Sequence, residues 1–389
     1  MKPRRLETAA TIQAKTGGTA SIPERHLHYN RTVKTWDVVV IGGGVIGLSL
    51  AWRLRQSGAS ILVVEKGEPW REATYAAGGM IAHCDPGTPL ALQEVVAASA
   101  RIYSEFVRDL RAEAFQSPDL RDAGTIAFLE ADDELPTCAG ARLLEEAELG
   151  ELEPLITLRG RACLMPESSI DPRKLGRALE KAGRTLGVDF VTGAAVNEVA
   201  VLGRRATGVR TSKSFYAADK VVNCAGAWAA EIKPLGMPTR PVKGQIACLV
   251  PQSVAHRGGP LIQHVVRSSE VYIIPRSDGR ILLGATVEEA GFDKRVDPDT
   301  IRRLQEAAAR IAPAIAEMRL HDAWAGLRPG SPDDLPILGA TSLAGYYAAT
   351  GHYRDGIMLA PVTALVMTQL LTGHKPDFDL AAFSPLRFA

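Results

Sequence analysis

The chain has 389 residues, 46% of them hydrophobic, and a formal net charge of +1. That length supports a large core and two domains, and the near-neutral balance excludes nucleic acid as a general partner, because phosphate binding needs a basic surface. The longest uncharged apolar run, Val38 to Trp52, is too short to span a bilayer and is broken by four glycines.

Residues 1–35 hold seven Lys or Arg against two acids, which leaves 38 basic and 42 acidic residues in the body, a net −4. This leader contains Gly17-Gly18, few large apolar residues and no periodicity, so it is expected to be disordered; it also lacks the apolar core of an export signal. The body opens with a short β-branched strand, Val38-Val39-Val40-Ile41. A helical pattern follows from Val45 to Ser57 and stops at Gly58. Ile61-Leu62-Val63-Val64 is the next strand and ends at Glu65. Two buried strands joined by a helical crossover are the grammar of a parallel α/β sheet.

Asp171-Pro172 is a helix start, a capping side chain followed by proline, and that helix runs to Leu186 with Gly187 behind it. Val188 to Val191 reads as a strand, residues 196–202 and 206–211 as a hairpin around Gly203-Arg204-Arg205, and Val221 to Cys224 as another buried strand. Residues 241–321 differ in kind. Val271 to Ile274 and Ile281 to Leu283 flank Ser277-Asp278-Gly279, a hairpin signal, and Thr300 to Ala316 reads as a helix. From Tyr346 the α/β grammar returns with a strand through Ala349, a glycine turn, and a helix from about Gly356 to Leu371. The five cysteines (Cys84, Cys138, Cys163, Cys224, Cys248) are scattered, odd in number and without metal spacing; a reduced, cytoplasmic chain fits them.

The chemistry begins at Gly42-Gly43-Gly44-Val45-Ile46-Gly47. Gly42 permits the tight turn off the strand, Gly44 lets backbone approach a pyrophosphate, and Gly47 lets the helix lie close to the sheet. The helix N-terminus then offers unpaired N–H groups to the phosphates. Glu65, closing the second strand, accepts from the ribose hydroxyls of a dinucleotide; otherwise it is a solvated strand end. The turn does not choose between FAD and NAD. The small-residue stretch Arg71 to Met80 directly follows the second strand, so it passes near the phosphates, and its Gly78-Gly79-Met80 permits close backbone approach. Near the C-terminus come Gly326-Leu327-Arg328-Pro329-Gly330 and His352-Tyr353-Arg354-Asp355-Gly356-Ile357.

With Pro241-Val242-Lys243-Gly244 and Val271-Tyr272-Ile273-Ile274-Pro275-Arg276, these segments resemble the D-amino-acid oxidase and sarcosine oxidase superfamily, and within it the glycine oxidase (ThiO) branch of thiamine biosynthesis. The resemblance covers residues 36–385. It implies a fold of α/β plus α+β type. A discontinuous Rossmann-like FAD-binding domain (residues 36–116, 168–240 and 322–385) would carry an inserted antiparallel-sheet substrate domain (residues 117–167 and 241–321). It implies FAD as cofactor, held by Gly42, Gly44, Val45, Ile46, Gly47, Glu65, Lys66, Ala73, Thr74, Gly78, Gly79, Met80 and Val196, and by the turn His352, Tyr353, Arg354, Asp355, Gly356, Ile357 and Met358. Gly78 stands where relatives often have alanine. No cysteine follows Cys248, so the cysteine that attaches the flavin in the sarcosine oxidase branch is absent and the FAD is expected to be non-covalent.

The same resemblance implies that Arg328 takes a substrate carboxylate with two parallel bonds, assisted by Arg354 and Tyr272. The competing readings are an ion pair for Arg328, pairing with adjacent Asp355 for Arg354, and core packing for Tyr272. No His/Asp or paired-carboxylate constellation stands out as a general base, which suits a reaction that depends on positioning. The implied activity is oxidation of glycine to the imine and glyoxylate, with ammonia and hydrogen peroxide, using O2 and handing the imine to thiazole synthesis. The alternatives are a D-amino-acid or sarcosine oxidase, or a quinone-linked D-amino-acid dehydrogenase; the last would need a membrane anchor. No metal is implied, and a homo-oligomer is expected from the family.

Overall fold

The computed structural model describes residues 34–136, 138–252 and 260–389; residues 1–33 of the basic leader lie outside the described residues, and its last residue, Thr35, opens the first strand rather than lying in a disordered arm. In chain order the first elements are β1 (Thr35–Ile41), α1 (Val45–Gln56), β2 (Ile61–Val64), α2 (Ala73–Ala76), β3 (Met80–Ile81) and α3 (Leu90–Ala114). Then come β4 (Thr125–Phe128), β5 (Arg142–Leu144), α4 (Glu146–Leu152), β6 (Ala162–Met165), β7 (Ser168–Ser169), α5 (Pro172–Leu186) and β8 (Asp189–Val191). The middle holds β9 (Val196–Leu202), β10 (Arg205–Thr211), β11 (Phe215–Asn223), β12 (Arg240–Val250), β13 (Val265–Arg267), β14 (Tyr272–Pro275) and β15 (Ile281–Gly284). The last elements are α6 (Pro298–Ile311), β16 (Arg319–Gly330), β17 (Ile337–Ala340), β18 (Tyr346–Thr350) and α7 (Gly356–Leu371).

Two large sheets result. The first runs β17-β18-β11-β1-β2-β8, with the β9–β10 hairpin attached to β11; the pairs β18/β11, β11/β1, β1/β2 and β2/β8 are parallel. Strand alternation sorts its two faces. Val38 and Val40 pack with α1, α3, α5 and α7, while Val39, Ile41, Leu62 and Val64 pack under the hairpin residues Val196, Val199 and Val209. Both faces are covered, which is why these strands read as continuous apolar runs.

The second sheet runs β16-β12-β15-β14-β13-β4-β6-β5 and is antiparallel except where β13 meets β4. Ala247, Leu249, Ile273 and Leu283 face α6 through Ile301, Leu304 and Ile311. The opposite face presents Ile246, Ile274 and Leu282 toward Met80 and Trp324. The α/β plus α+β reading holds. The expected boundary between residues 321 and 322 does not, because it falls inside β16, which pairs with β12 along its length and belongs wholly to the second sheet.

The capping grammar worked where it was applied. Asp171 accepts from the N–H groups of Arg173 and Lys174, Pro172 follows, and Gly187 closes α5 at φ 86°. The same grammar at Asp297-Pro298 starts α6 two residues before the expected Thr300, and that helix ends at Ile311; a 3₁₀ turn takes Pro313–Glu317. The 25-residue α3 has no counterpart among the expected elements. Cys84 and Cys138 form a disulfide, which corrects the expectation of five reduced thiols. Their separation of 54 residues gives no hint of it; only the fold brings their Cα atoms to 5.3 Å. Cys163, Cys224 and Cys248 are free and buried.

Candidate active site

On the first sheet the site is made mainly of backbone. Gly42 turns off β1 at φ 102°, a left-handed conformation natural to glycine, and a Cβ there would strike the Cys224 carbonyl oxygen. A Cβ on Gly47 would run into the Gly42 carbonyl oxygen. Gly44 caps α1 with no side-chain bond, so the first N–H groups of that helix face the cleft, Val45 N–H donating to Thr74 Oγ1 at 2.9 Å. Buried Glu65 accepts from Gly43 N–H at 2.7 Å and Gly67 N–H at 2.8 Å, which fixes the turn to the end of β2. Its oxygens keep further lone pairs for hydroxyl donors.

Gly42, Gly44, Glu65, Lys66, Ala73, Thr74 and Val196 line one cavity together with Trp228. Gly44, Val45, Ile46, Ala73, Thr74, Gly78, Gly79, Met80 and every residue from His352 to Met358 line a second. The two share Gly44, Ala73, Thr74 and Cys224, so they form one continuous cleft from the ribose end to the second sheet. Of the expected cofactor residues, Gly47 alone lines neither; it acts beneath the turn by letting α1 approach. A glycine cradle that a Cβ would fill, a helix N-terminus with unpaired donors, and a carboxylate at the ribose position fit a dinucleotide. Cys224 borders the cleft, but burial raises its thiol pKa and keeps it protonated, so it offers no thiolate for covalent attachment.

The small-residue loop is held from below. Arg276, fully buried, donates to the Gly78 carbonyl oxygen at 2.5 Å, and burial lowers its pKa to about 10. At the far end Tyr353 adopts φ 46°, an uncommon conformation for a bulky residue. Its N–H donates to the Pro329 carbonyl at 2.9 Å, docking the turn before α7 onto β16. His352 is buried, pairs its Nε2 with Thr363 Oγ1 at 3.0 Å, and has its pKa driven down to about 3 by burial, so the ring stays neutral.

The second sheet supplies side chains. Arg328 reaches from β16 across Gly244 of β12, where a Cβ would collide with the guanidinium. Its Nη1 donates to the carbonyls of Lys243 (3.3 Å) and Thr286 (3.0 Å). Among the described residues no carboxylate forms an ion pair with it, and its Nη2 and Nε make no hydrogen bond. Burial lowers its pKa, with Tyr353 and Tyr272 opposing. Tyr272 lines the same cavity opposite Gly284 and also packs against the core of the second sheet. Arg354 does not pair with Asp355: it donates to the Gly87 carbonyl at 3.2 Å and approaches Asp85 at 3.5 Å, at the mouth.

The structure adds residues that sequence reasoning missed. Arg267 stands directly across from Tyr272 on β13 and pairs with Asp85 at 3.3 Å; both line the cavity. Ser268 to Val271 joins the two strands as a tight turn, in which Ser268 N–H and Oγ donate to the Val271 carbonyl oxygen. That serine-led turn was the signal available for β13.

The model of the FAD-dependent oxidoreductase (DAO) family matches residues 37–370. The chain belongs to that family. It is 33% identical over 366 residues to a glycine oxidase of Pseudomonas aeruginosa, covering 90% of this chain and 98% of the relative. It is also 33% identical over 359 residues to the bifunctional protein ThiO/ThiG of Synechocystis sp., covering 91% of this chain but spanning about half (54%) of that longer protein. The crystal structure of glycine oxidase from Geobacillus kaustophilus superposes with a TM-score of 0.82 at 29% identity, over 90% of this chain and 98% of that one. The chain is an FAD-dependent oxidoreductase. Among the described residues no helix is long and apolar enough to cross a membrane.

Proposed function

We propose that the protein oxidises glycine to the imine and glyoxylate, releasing ammonia and hydrogen peroxide. The carrying observation is Arg328: a desolvated guanidinium, anchored on one nitrogen, without an acid partner among the described residues, and lining the cleft with Tyr272. A cation so placed holds a carboxylate bidentately and fixes its orientation. Tyr272 adds a hydroxyl, and Gly244, by lacking a Cβ, leaves the space that the Arg328 guanidinium occupies. FAD supplies the two-electron acceptor when bound, and dioxygen reoxidises it. The α7 N-terminus favours negative charge at the end of the cleft, and neutral His352 adds no charge of its own. Two arginines, Arg328 within and Arg354 at the mouth, attract a carboxylate substrate.

Glycine oxidases among the relatives support glycine as substrate, and the ThiO/ThiG fusions support hand-off of the imine to thiazole synthesis. Action in the cytoplasm and assembly into a homo-oligomer belong to the same proposal; the Cys84–Cys138 disulfide is the feature that weighs against a reducing compartment. The deciding experiment is anaerobic reduction of the bound flavin by glycine, sarcosine, D-alanine and D-proline. Glycine should bleach the flavin absorbance most efficiently and yield peroxide once air is admitted. No bleaching by glycine, with bleaching by another of the four, would overturn the choice of substrate.

A further inference from the structure

Asp355 lines the same cavity as Arg328, yet the fold makes no use of its carboxylate. It immediately precedes α7, where an aspartate ordinarily caps the helix by accepting from the next N–H groups. Here no side-chain bond caps α7, and among the described residues no donor reaches the carboxylate. The backbone around it is firmly placed. Asp355 N–H donates to the His352 carbonyl at 2.9 Å, Leu359 N–H to the Asp355 carbonyl at 2.8 Å, and Tyr353 ties the turn to the residue beside Arg328.

The groups around this turn come from several elements. Arg354 is its neighbour in sequence, and Asp85 looks at it from the loop after β3. Asp85 is itself held by Arg267 of β13. Arg328 stands on β16, and Tyr272 on β14. From α3 come only Ser99 and Tyr103, whose hydroxyls donate to the Met358 and Ile357 carbonyls. Burial is the largest influence on Asp355 and raises its pKa to about 6, with Arg354 opposing and Asp85 adding.

The proposed reaction needs a destination for one proton. An amino acid arrives as an ammonium, which has no lone pair to form the C=N bond while the Cα hydrogen leaves with its electrons. We propose that Asp355 accepts that ammonium proton, a role that rests on the amine-oxidising reading above. One substrate N–H bond breaks and an O–H bond forms on Asp355. The freed lone pair forms C=N as the Cα hydrogen departs with its electron pair to FAD, so the substrate loses two electrons and FAD gains them. When dioxygen takes the electron pair and that hydrogen, Asp355 returns its proton, completing hydrogen peroxide and restoring the carboxylate.

The test is the pH profile of anaerobic flavin reduction by glycine in the FAD-loaded protein, its Asp355→Asn variant and its Asp355→Glu variant. In the wild type the rate should fall below about pH 6 and be level above it. In Asp355→Asn the rate near neutral pH should drop roughly hundredfold and climb roughly tenfold per pH unit, following the fraction of free amine. Asp355→Glu should restore the plateau. An Asp355→Asn protein that keeps FAD and the wild-type profile overturns the proposal. Should that variant not hold FAD, the wild-type profile decides alone. A rate that is level from about pH 6 upward supports the assignment, and a rate that climbs roughly tenfold per pH unit through neutral pH, following the free amine, overturns it. If glycine fails to reduce the wild type, the glycine reading fails; the same profiles are then taken with sarcosine or D-alanine, which test Asp355 independently.

Discussion

On the first sheet the proposed cofactor surface is backbone: Gly42 and Gly47 are defined by the Cβ atoms they lack, Gly44 opens α1, and Glu65 serves by fixing Gly43 and Gly67. On the second sheet the proposed substrate surface is made of functional groups: Arg267 and Tyr272 on the paired strands β13 and β14, and Arg328 on β16 much later in the chain. The contrast follows from the ligands. A pyrophosphate is recognised by N–H groups and close approach, which a short contiguous motif supplies. A small carboxylate offers two oxygens and little else, so recognition falls on one guanidinium placed by tertiary structure. Loss of a glycine should therefore damage the fold and the cofactor site together, whereas loss of the arginine should damage catalysis alone.

The sharpest test of that division is Arg328→Ala. It should lower kcat/KM for glycine by roughly a thousandfold, on the order of 4 kcal/mol for a carboxylate left without its buried partner. FAD content and thermal unfolding should stay as in the wild type; an accompanying loss of FAD would dissolve the distinction between the two surfaces. Next in size is Gly47→Ala, whose methyl group meets the Gly42 carbonyl oxygen. The helix must move off the sheet, at about 3 kcal/mol for overpacking at a backbone contact, and FAD should be lost, as read by denaturant unfolding and by absorbance of the purified protein. Full FAD retention would show that the turn tolerates displacement.

The most gradual effect, and the smallest near neutral pH, belongs to His352. Its folded pKa near 3 lies below the ordinary value of 6.5, so between those pH values the unfolded chain carries a proton that the folded one lacks. Stability should fall as pH drops through that window by about 1.4 kcal/mol per unit and be level above it. His352→Gln should remove that part of the slope in unfolding experiments below pH 6.5; an unchanged slope would mean that the ring is not held neutral.

Legibility followed the same divide. The strand–turn–helix at Gly42, the α5 caps at Asp171 and Gly187, and α7 from Gly356 were readable because each is a local physical rule written in neighbouring residues. Asp297-Pro298 carried the same cap signal as Asp171-Pro172 and was passed over in favour of Thr300, which Asp297 in fact caps. The α3 helix starts after Pro89 with no capping side chain, so its beginning has no punctuation. Arg328 and Tyr272 were legible only through family resemblance, since nothing local separates a site arginine from an ion-paired one. Arg267, Asp85 and the Cys84–Cys138 bridge were not legible, because cross-strand register and loop placement alone bring them to the cleft.

The parallel pairing of β1 has a consequence for how the molecule is made. Val39 of β1 sits between Leu62 of β2 and Val221 of β11, and β11 in turn takes β18 as its outer neighbour. A ribosome delivers the glycine turn early, but α7, which packs on α1, and the turn that closes one end of the cleft emerge about 300 residues later. The nascent βαβ unit therefore waits with an apolar strand edge uncovered, a state prone to wrong pairing. At the proposed site FAD touches both the glycine turn and the turn before α7, so its binding should hold together parts of the fold that are made early and late.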